Sequence, residues 1–383
     1  MPPTLIITND FPPTIGGIEG FVSDVCGLLD DDVIVLTRRT RGWQDHDQQL
    51  EFPVIRHGSL MLPQPRIARL AAKLIKDHEI KSVIFGAMAP LALLAPAVRE
   101  AGADRLLAIS HGHETWWAGL PGSRTLLRRM GDAVDHVSTI SRYTSGRIAP
   151  ALSPAARVRM ITLSPPVDLE LFRPAPAGSV QDHDRPRCIA VGRMVRQKGF
   201  DVLLRAWRQV IDRTPALATP ELVLVGDGPQ ASALRRLAAR LRLAGSVRFT
   251  GPLPRREVAE LLRTGRLFAL PVRTRLAGLN PEGLGLVFAE AAASGLPVIV
   301  GRSGGAPETV RDTETGYLVD PDDHHALADR ITELLADPDR AARMGAAGRR
   351  HVAERYGADR ARRTVRAALQ LDDRTSEVNG SRE

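Results

Sequence analysis

A chain of 383 residues exceeds what one hydrophobic core of ordinary size organises, so two domains are expected. Its composition, 43% hydrophobic and 25% charged, is that of a soluble globular protein, and only two cysteines, Cys26 and Cys188, argue against a disulfide framework and for a reducing cytoplasm. The formal net charge of +8 favours anionic partners such as phosphates, acidic lipid surfaces or nucleic acid, although a merely solvated basic surface would give the same number. No basic segment followed by an apolar stretch opens the chain, so no signal peptide is expected. The richest apolar run, Ala87–Val98, is interrupted by Pro90 and Pro96 and is too short to span a bilayer.

Along the chain, apolar strands alternate with amphipathic helices, the pattern of parallel sheets covered on both faces. The first strand, Leu5–Thr8, runs directly into TNDFPPTIGGIEGF, where Gly16 and Gly17 let backbone N–H groups approach a ligand at the start of a helix, Gly20–Leu29. The same glycines would serve a plain strand-to-helix turn. After strand Val33–Thr37, a basic amphipathic helix, Arg66–His78, sets Arg66, Arg69, Lys73 and Lys76 against Ile67, Leu70, Ala71, Leu74 and Ile75. Such a helix can lie on an anionic bilayer or be an ordinary surface helix. Strands Ser82–Phe85 and Leu106–Ser110 follow, the second leading into ISHGHETWW. There His111, His113 and Glu114 lack further ligands near in sequence, so a metal cluster is not expected and a hydrogen-bonding role is. Trp116 and Trp117 fit either core or an acceptor pocket. Helix Ser123–Gly131 and strand His136–Ile140 complete this half, and Leu163–Asp184, rich in Pro, Gly, Ser and Asp, reads as the domain boundary.

The second half repeats the logic with strands Arg187–Val191, Glu221–Val225, Ser246–Thr250, Leu267–Pro271, Pro297–Val300 and Tyr317–Val319. Helices Phe200–Ile211, Gln230–Leu241, Arg255–Arg263, Leu284–Ser294 and Ala326–Ala336 separate them. Arg193 and Lys198, in VGRMVRQKGFD, stand at the carboxyl end of a strand, where open α/β sheets bind ligands; two cations there suit a pyrophosphate. In PEGLGLVFAEAAASGLPVIVGRSGGAPE, Glu282 stands at a helix start and Glu290 inside an apolar helix. Their spacing brings both acids to one side of that helix, about two turns apart, and ribose and sugar hydroxyls are natural partners for them. Ser303, Gly304 and Gly305 form another turn near them. A last helix, Gly357–Leu369, precedes a polar tail from Asp372 that is expected to be disordered.

Taken in order, these motifs resemble the retaining family-4 glycosyltransferases, over essentially the whole chain. Glu282 and Glu290 match the family's E-x7-E motif, and Arg193 with Lys198 its Arg–Lys pair. TNDFPPxxGGI, FGAMAPLALLAP, SHGHE with LPGSR, PVRTR, EGLGLVFAEA and GRSGGAPETV are similar to GDP-mannose-dependent mannosyltransferases that elongate phosphatidylinositol mannosides. The resemblance implies the GT-B fold: two Rossmann-like, doubly wound α/β domains facing across a deep cleft. The first would span 1–168, with a terminal helix at about 355–371 packed back on it. The second would span 185–350, and 372–383 would be the tail.

By the same resemblance, Gly16 and Gly17 would offer N–H groups to the β-phosphate or the sugar. Arg193 and Lys198 would neutralise the departing GDP. Glu282 would hold mannose hydroxyls and Glu290 the ribose, with Gly283, Leu284 and Gly285 in the same nucleotide-sugar loop. His111 would face the reacting centre, and Asp10, Gly16, His113 and Arg66 the acceptor. The implied partners are GDP-mannose, a glycolipid and the inner face of the cell membrane, reached through helix 66–78, and not nucleic acid. No cofactor or metal is expected, because the protein's own cations would take a divalent ion's role. Two departures stand out: Pro166 replaces the glycine usual before Val-Asp, and TWW follows HGHE. The near alternative is a glycosyltransferase of the same fold using another nucleotide sugar or another lipid or small-molecule acceptor; a nucleotide-sugar epimerase, or a membrane-associated binder with a silent nucleotide site, would be the alternative from another class.

Overall fold

Strands that are apolar at every position, without alternation, belong in sheets covered on both faces. The chain has such strands in abundance. A computed structural model describes residues 2–14, 16–30, 32–58, 60–112, 114, 117–119, 121–176, 185–213, 219–274 and 281–371. The chain divides into two units, one formed by Met1–Pro166 and the stretch from Ala358 onward, the other by Val167–Gly357.

In the first unit, β1 (Thr4–Ile7), β2 (Val33–Thr37), β3 (Val54–Arg56), β4 (Ser82–Phe85), β5 (Arg105–Ser110), β6 (His136–Thr139) and β7 (Met160–Thr162) form one sheet. Its spatial order is β3-β2-β1-β4-β5-β6-β7, and every ladder is parallel. In the second, β8 (Arg187–Val191), β9 (Glu221–Val225), β10 (Val247–Gly251), β11 (Leu267–Leu270), β12 (Val298–Gly301) and β13 (Gly316–Val319) form a parallel sheet of order β10-β9-β8-β11-β12-β13. Both orders reverse once, between β1 and β4 and between β8 and β11. Those reversals are the switch points beside which doubly wound sheets bind ligands.

Strands β1, β4, β11 and β12 are buried throughout, as their unbroken apolar runs require. The edge strands β3 and β7 are three residues long and partly exposed, too short for any periodicity to announce them. A longer element also escapes the sequence reading, the helix Pro338–Tyr356. It carries Gly345 and Gly348, which read locally as breakers, yet tertiary packing explains the first of them. A Cβ at Gly345 would overlap the carbonyl oxygen of Gly295, which follows the helix Leu286–Ala293. Close approach here requires a hydrogen where any other residue has a carbon.

The domain limits differ in detail from the expected 1–168, 185–350 and 355–371. The second unit takes over at Val167, whose N–H donates to the carbonyl of Tyr356 at 2.8 Å, and Phe172 is already buried within it. The terminal helix is Ala358–Leu369, beginning after Gly357. Arg366 of that helix lies 3.5 Å from Asp30 of the first unit, and Arg362 pairs with the same carboxylate. Residues 372–383 lie outside the described residues. Cys26 and Cys188 are both buried and unbridged.

Because Gly345 meets backbone rather than a movable side chain, Gly345→Ala should cost about 2 kcal/mol of stability. Urea unfolding should show a lowered midpoint with an unchanged slope. A variant that unfolds with the parent would mean the two segments part there freely.

Candidate active site

In the second unit, the chain leaves β8, builds β9 and β10 to one side, then returns to start β11 on the other. The loops after β8 and β11 therefore flank the switch point. The first ends in a single 3-10 turn, Arg196–Lys198; the second reaches Glu282 before the helix Leu286–Ala293. Lys198 Nζ donates to Glu282 Oε2 at 2.7 Å, and their side chains are only 19% and 13% exposed. A lysine and a glutamate far apart in sequence are thus joined above the sheet.

Each side of this pair is fixed by backbone. Gln197 Nε2 donates to the Pro281 carbonyl at 2.9 Å, tying the lysine's turn to the glutamate's loop. Arg273, buried just after β11, donates through its backbone N–H to the Gln197 carbonyl at 2.8 Å and through Nε to the Arg196 carbonyl at 2.8 Å. The Glu282 N–H faces Ser303 Oγ at 3.4 Å, its carbonyl accepts from the Gly305 N–H at 2.8 Å, and Thr274 Oγ1 is 2.8 Å from Ser303 Oγ. Gly304 has φ of +57°, and a Cβ there would overlap the Glu282 carbonyl oxygen. Only glycine lets the turn after β12 support Glu282 this closely.

The two acids of the E-x7-E motif do not share a helix face. The helix starts at Leu286, capped by Gly285 at φ +77°, so Glu282 stands in the preceding loop and helical periodicity does not place it. Tertiary hydrogen bonds do. Glu290 lies within the helix, and its Oε1 is 3.4 Å from Arg255, whose guanidinium also covers Phe172. Gly283, Leu284 and Gly285 link Glu282 to that helix start. Arg193 is exposed earlier in the β8 loop. Arg193, Lys198 and Glu282 thus occupy one switch point, with Glu290 on the adjoining helix.

At the switch point of the first unit, Gly16 and Gly17 open the helix Gly17–Leu28 after β1, and the carboxylate of Glu19 lies against Gly16. A helix N-terminus favours negative charge there. An incoming anion aimed at the same N–H groups would take that carboxylate's place. His111, at the end of β5, is buried with Nε2 2.5 Å from the carbonyl of Gly86, which follows β4. Its ring meets Phe21 edge-on at 5.7 Å. Glu114 is buried and accepts from Ser110 Oγ at 2.9 Å. Asp10 stands half-buried in the β1 loop, its N–H bonded to Thr8 Oγ1. Gly16, Gly17, Asp10 and His111 are therefore brought to the ends of β1 and β5 in one sheet. Arg66 sits apart, exposed at the start of the helix Pro65–Asp77. His113 and Trp116 lie outside the described residues.

Several supporting residues carry no local signal. Asn9 clasps the backbone of Met61 with both amide atoms, at 2.8 and 2.9 Å. Arg56 reaches the Pro12 carbonyl at 2.6 Å while paired with Asp47 at 2.7 Å. Arg273 was legible only as part of PVRTR, and Gln197 only as part of VGRMVRQKGFD. Among the described residues, no three His, Cys, Asp or Glu side chains gather as a metal site. No described helix is long and apolar enough to cross a membrane.

The family model for Glycosyl transferases group 1 matches residues 174–351. The GDP-mannose-dependent alpha-(1-6)-phosphatidylinositol monomannoside mannosyltransferase of Mycolicibacterium smegmatis is 43% identical, over 90% of this chain and 92% of the relative. The GDP-mannose-dependent monoacylated alpha-(1-6)-phosphatidylinositol monomannoside mannosyltransferase of Corynebacterium glutamicum is 42% identical, over 91% of this chain and 93% of its own length. In fold, the chain is similar to the crystal structure of Anabaena HepE in complex with UDP, with a TM-score of 0.78 at 21% identity, covering 96% of this chain and 99% of that one. The two parallel-sheet domains are those of the GT-B fold, and the chain belongs to the glycosyltransferase family that contains these phosphatidylinositol monomannoside mannosyltransferases.

Proposed function

We propose that the protein transfers mannose, with retention of anomeric configuration, from GDP-mannose to a phosphatidylinositol monomannoside-type glycolipid, forming an α-1,6 linkage at the cytoplasmic face of the membrane. The observation that carries this reading is the Lys198–Glu282 pair at the switch point of the second unit. A cation suited to a diphosphate and a carboxylate suited to sugar hydroxyls lie side by side there, which supports the reading. The kinship with the mannosyltransferases supplies the identity of donor and acceptor.

An ammonium group has three protons to give, so Lys198 can keep Glu282 and still donate to a phosphate oxygen. Together with Arg193 it opposes the negative charge that grows on GDP as the glycosidic bond breaks. N–H groups around Gly283–Gly285, at a helix start, add to the same field. Glu282, held rigidly by Gly305 and Ser303, orients the mannose through its hydroxyls, and Glu290 receives the ribose in exchange for Arg255. In the first unit, Gly16, Gly17, Asp10 and His111 stand at strand ends of its own sheet, where such sheets take ligands. The acceptor hydroxyl attacks from the face that the phosphate leaves, and the leaving phosphate takes its proton. The transfer needs no metal, since side-chain cations supply the charge.

The basic helix supports docking on an anionic bilayer. Ile67, Ala71, Leu74 and Ile75 are buried, while Arg66, Arg69, Lys73 and Lys76 point outward. Just before it, Leu60 and Leu62 are 57% and 42% exposed, apolar side chains beside the basic face. Cations held against acidic headgroups with adjoining leucines entering the acyl boundary are the two contributions such surfaces combine.

Purified protein should move radiolabel from GDP-mannose to phosphatidylinositol monomannoside and not to free D-inositol 3-phosphate. Lys198→Ala should lower kcat by roughly a hundredfold or more, the scale of one lost leaving-group contact. Label reaching only the soluble acceptor, or undiminished turnover in the variant, would refute the reading. In co-sedimentation with vesicles containing phosphatidylinositol, Leu60→Asp/Leu62→Asp should weaken binding roughly tenfold relative to the parent. Equal sedimentation of the two proteins would remove this surface from the membrane contact.

A further inference from the structure

A second concavity lies in the Val167–Gly357 unit, lined by none of Arg193, Lys198, Glu282 and Glu290. It opens between the start of the helix Phe200–Arg213 and the length of the helix Ala231–Arg240 and has a volume of about 450 Å³. Phe200, Leu234 and Leu237 give it an apolar wall. Arg196, Arg205 and Arg240 are also among its lining residues.

What neutralises those cations decides what the cavity can take. Its one lining carboxylate, Asp201, is bound to Arg273 at 2.7 Å and lies 3.8 Å from Arg205. Arg273 lines the cavity too, but each of its three guanidinium nitrogens already donates, to Asp201, to Asp322 at 3.2 Å and to the Arg196 carbonyl. Among the described residues, neither Arg196 nor Arg240 has a carboxylate within ion-pair distance. Four arginines against Asp201 and Asp322 leave a net positive charge around the cavity. Guanidinium groups converging on a concave surface are best bridged by a multivalent anion, which they grip through paired N–H donors. The Gln230 side chain adds an amide, and the volume falls in the range of small-molecule sites.

We propose that this cavity is a second anion site, which takes a soluble, phosphate-bearing small molecule independently of the nucleotide sugar. Its apolar wall would cover the carbon part of that molecule, and Arg196, Arg205 and Arg240 would hold the phosphate. It also borders the donor site through the chain, because the turn that ends in Lys198 begins at Arg196.

Inorganic pyrophosphate is the probe, titrated calorimetrically into the full-length protein at low ionic strength. The parent should bind two equivalents, one at each basic site. Lys198→Ala should weaken one of them, and Arg205→Ala/Arg240→Ala the other, at least tenfold, leaving a single strong equivalent in each variant. Arg205 and Arg240 are exposed, so the double variant should melt with the parent when no ligand is present. A single equivalent in the parent that is lost in Lys198→Ala, or binding undiminished in Arg205→Ala/Arg240→Ala, would overturn the proposal. Because the two sites answer to different variants, failure here leaves the donor reading intact, and failure there leaves this one.

Discussion

The ion pair between Lys198 and Glu282 is the contact on which the second unit's site depends. It joins a loop that leaves β8 to a loop that leaves β11, so it exists only because the sheet reverses its order between those strands. A pair this sheltered is worth little as a prop for stability, since desolvating both ions offsets most of their attraction. Its use is positional. Arg273, Gln197, Ser303 and Gly304 all hold backbone near the pair, and none of them needs to touch a ligand to matter.

The first unit is organised by the same logic with softer materials. Its switch point offers a glycine-led helix start and a buried histidine, where the second offers fixed side-chain charges. The loop after β1 is held by Asn9 clasping Met61 and by Arg56, at the end of β3, bonding Pro12. Met61 lies between Leu60 and Leu62, so the clasp that steadies the glycine loop also fixes the exposed leucines and the basic helix behind them.

Much of the fold was legible because buried parallel strands write themselves as apolar runs: Val33–Thr37, Ser82–Phe85, Arg187–Val191 and Glu221–Val225 stand where the sequence puts them. Short helices such as Trp43–Asp47 and Arg142–Ile148 escaped, and so did two further kinds of element. Edge strands β3 and β7 are too short to show a period, and the helix Pro338–Tyr356 hides behind glycines whose reason is a neighbour remote in sequence. The site shows the same division. Arg193, Lys198, Glu282 and Glu290 sit in recognisable strings, but the relation between the two glutamates does not follow from helix geometry. Glu282 is placed by the turn after β12, and a long-range hydrogen bond leaves no trace in local spacing.

The way the chain crosses between its units has a consequence for its making. Asp30 belongs to the segment synthesised early, yet its partners Arg362 and Arg366 are translated only after the entire second unit. On the ribosome, where domains ordinarily mature in the order they emerge, the first sheet must wait with one flank uncovered while the second unit completes itself. The part of the protein that begins first is the last to close.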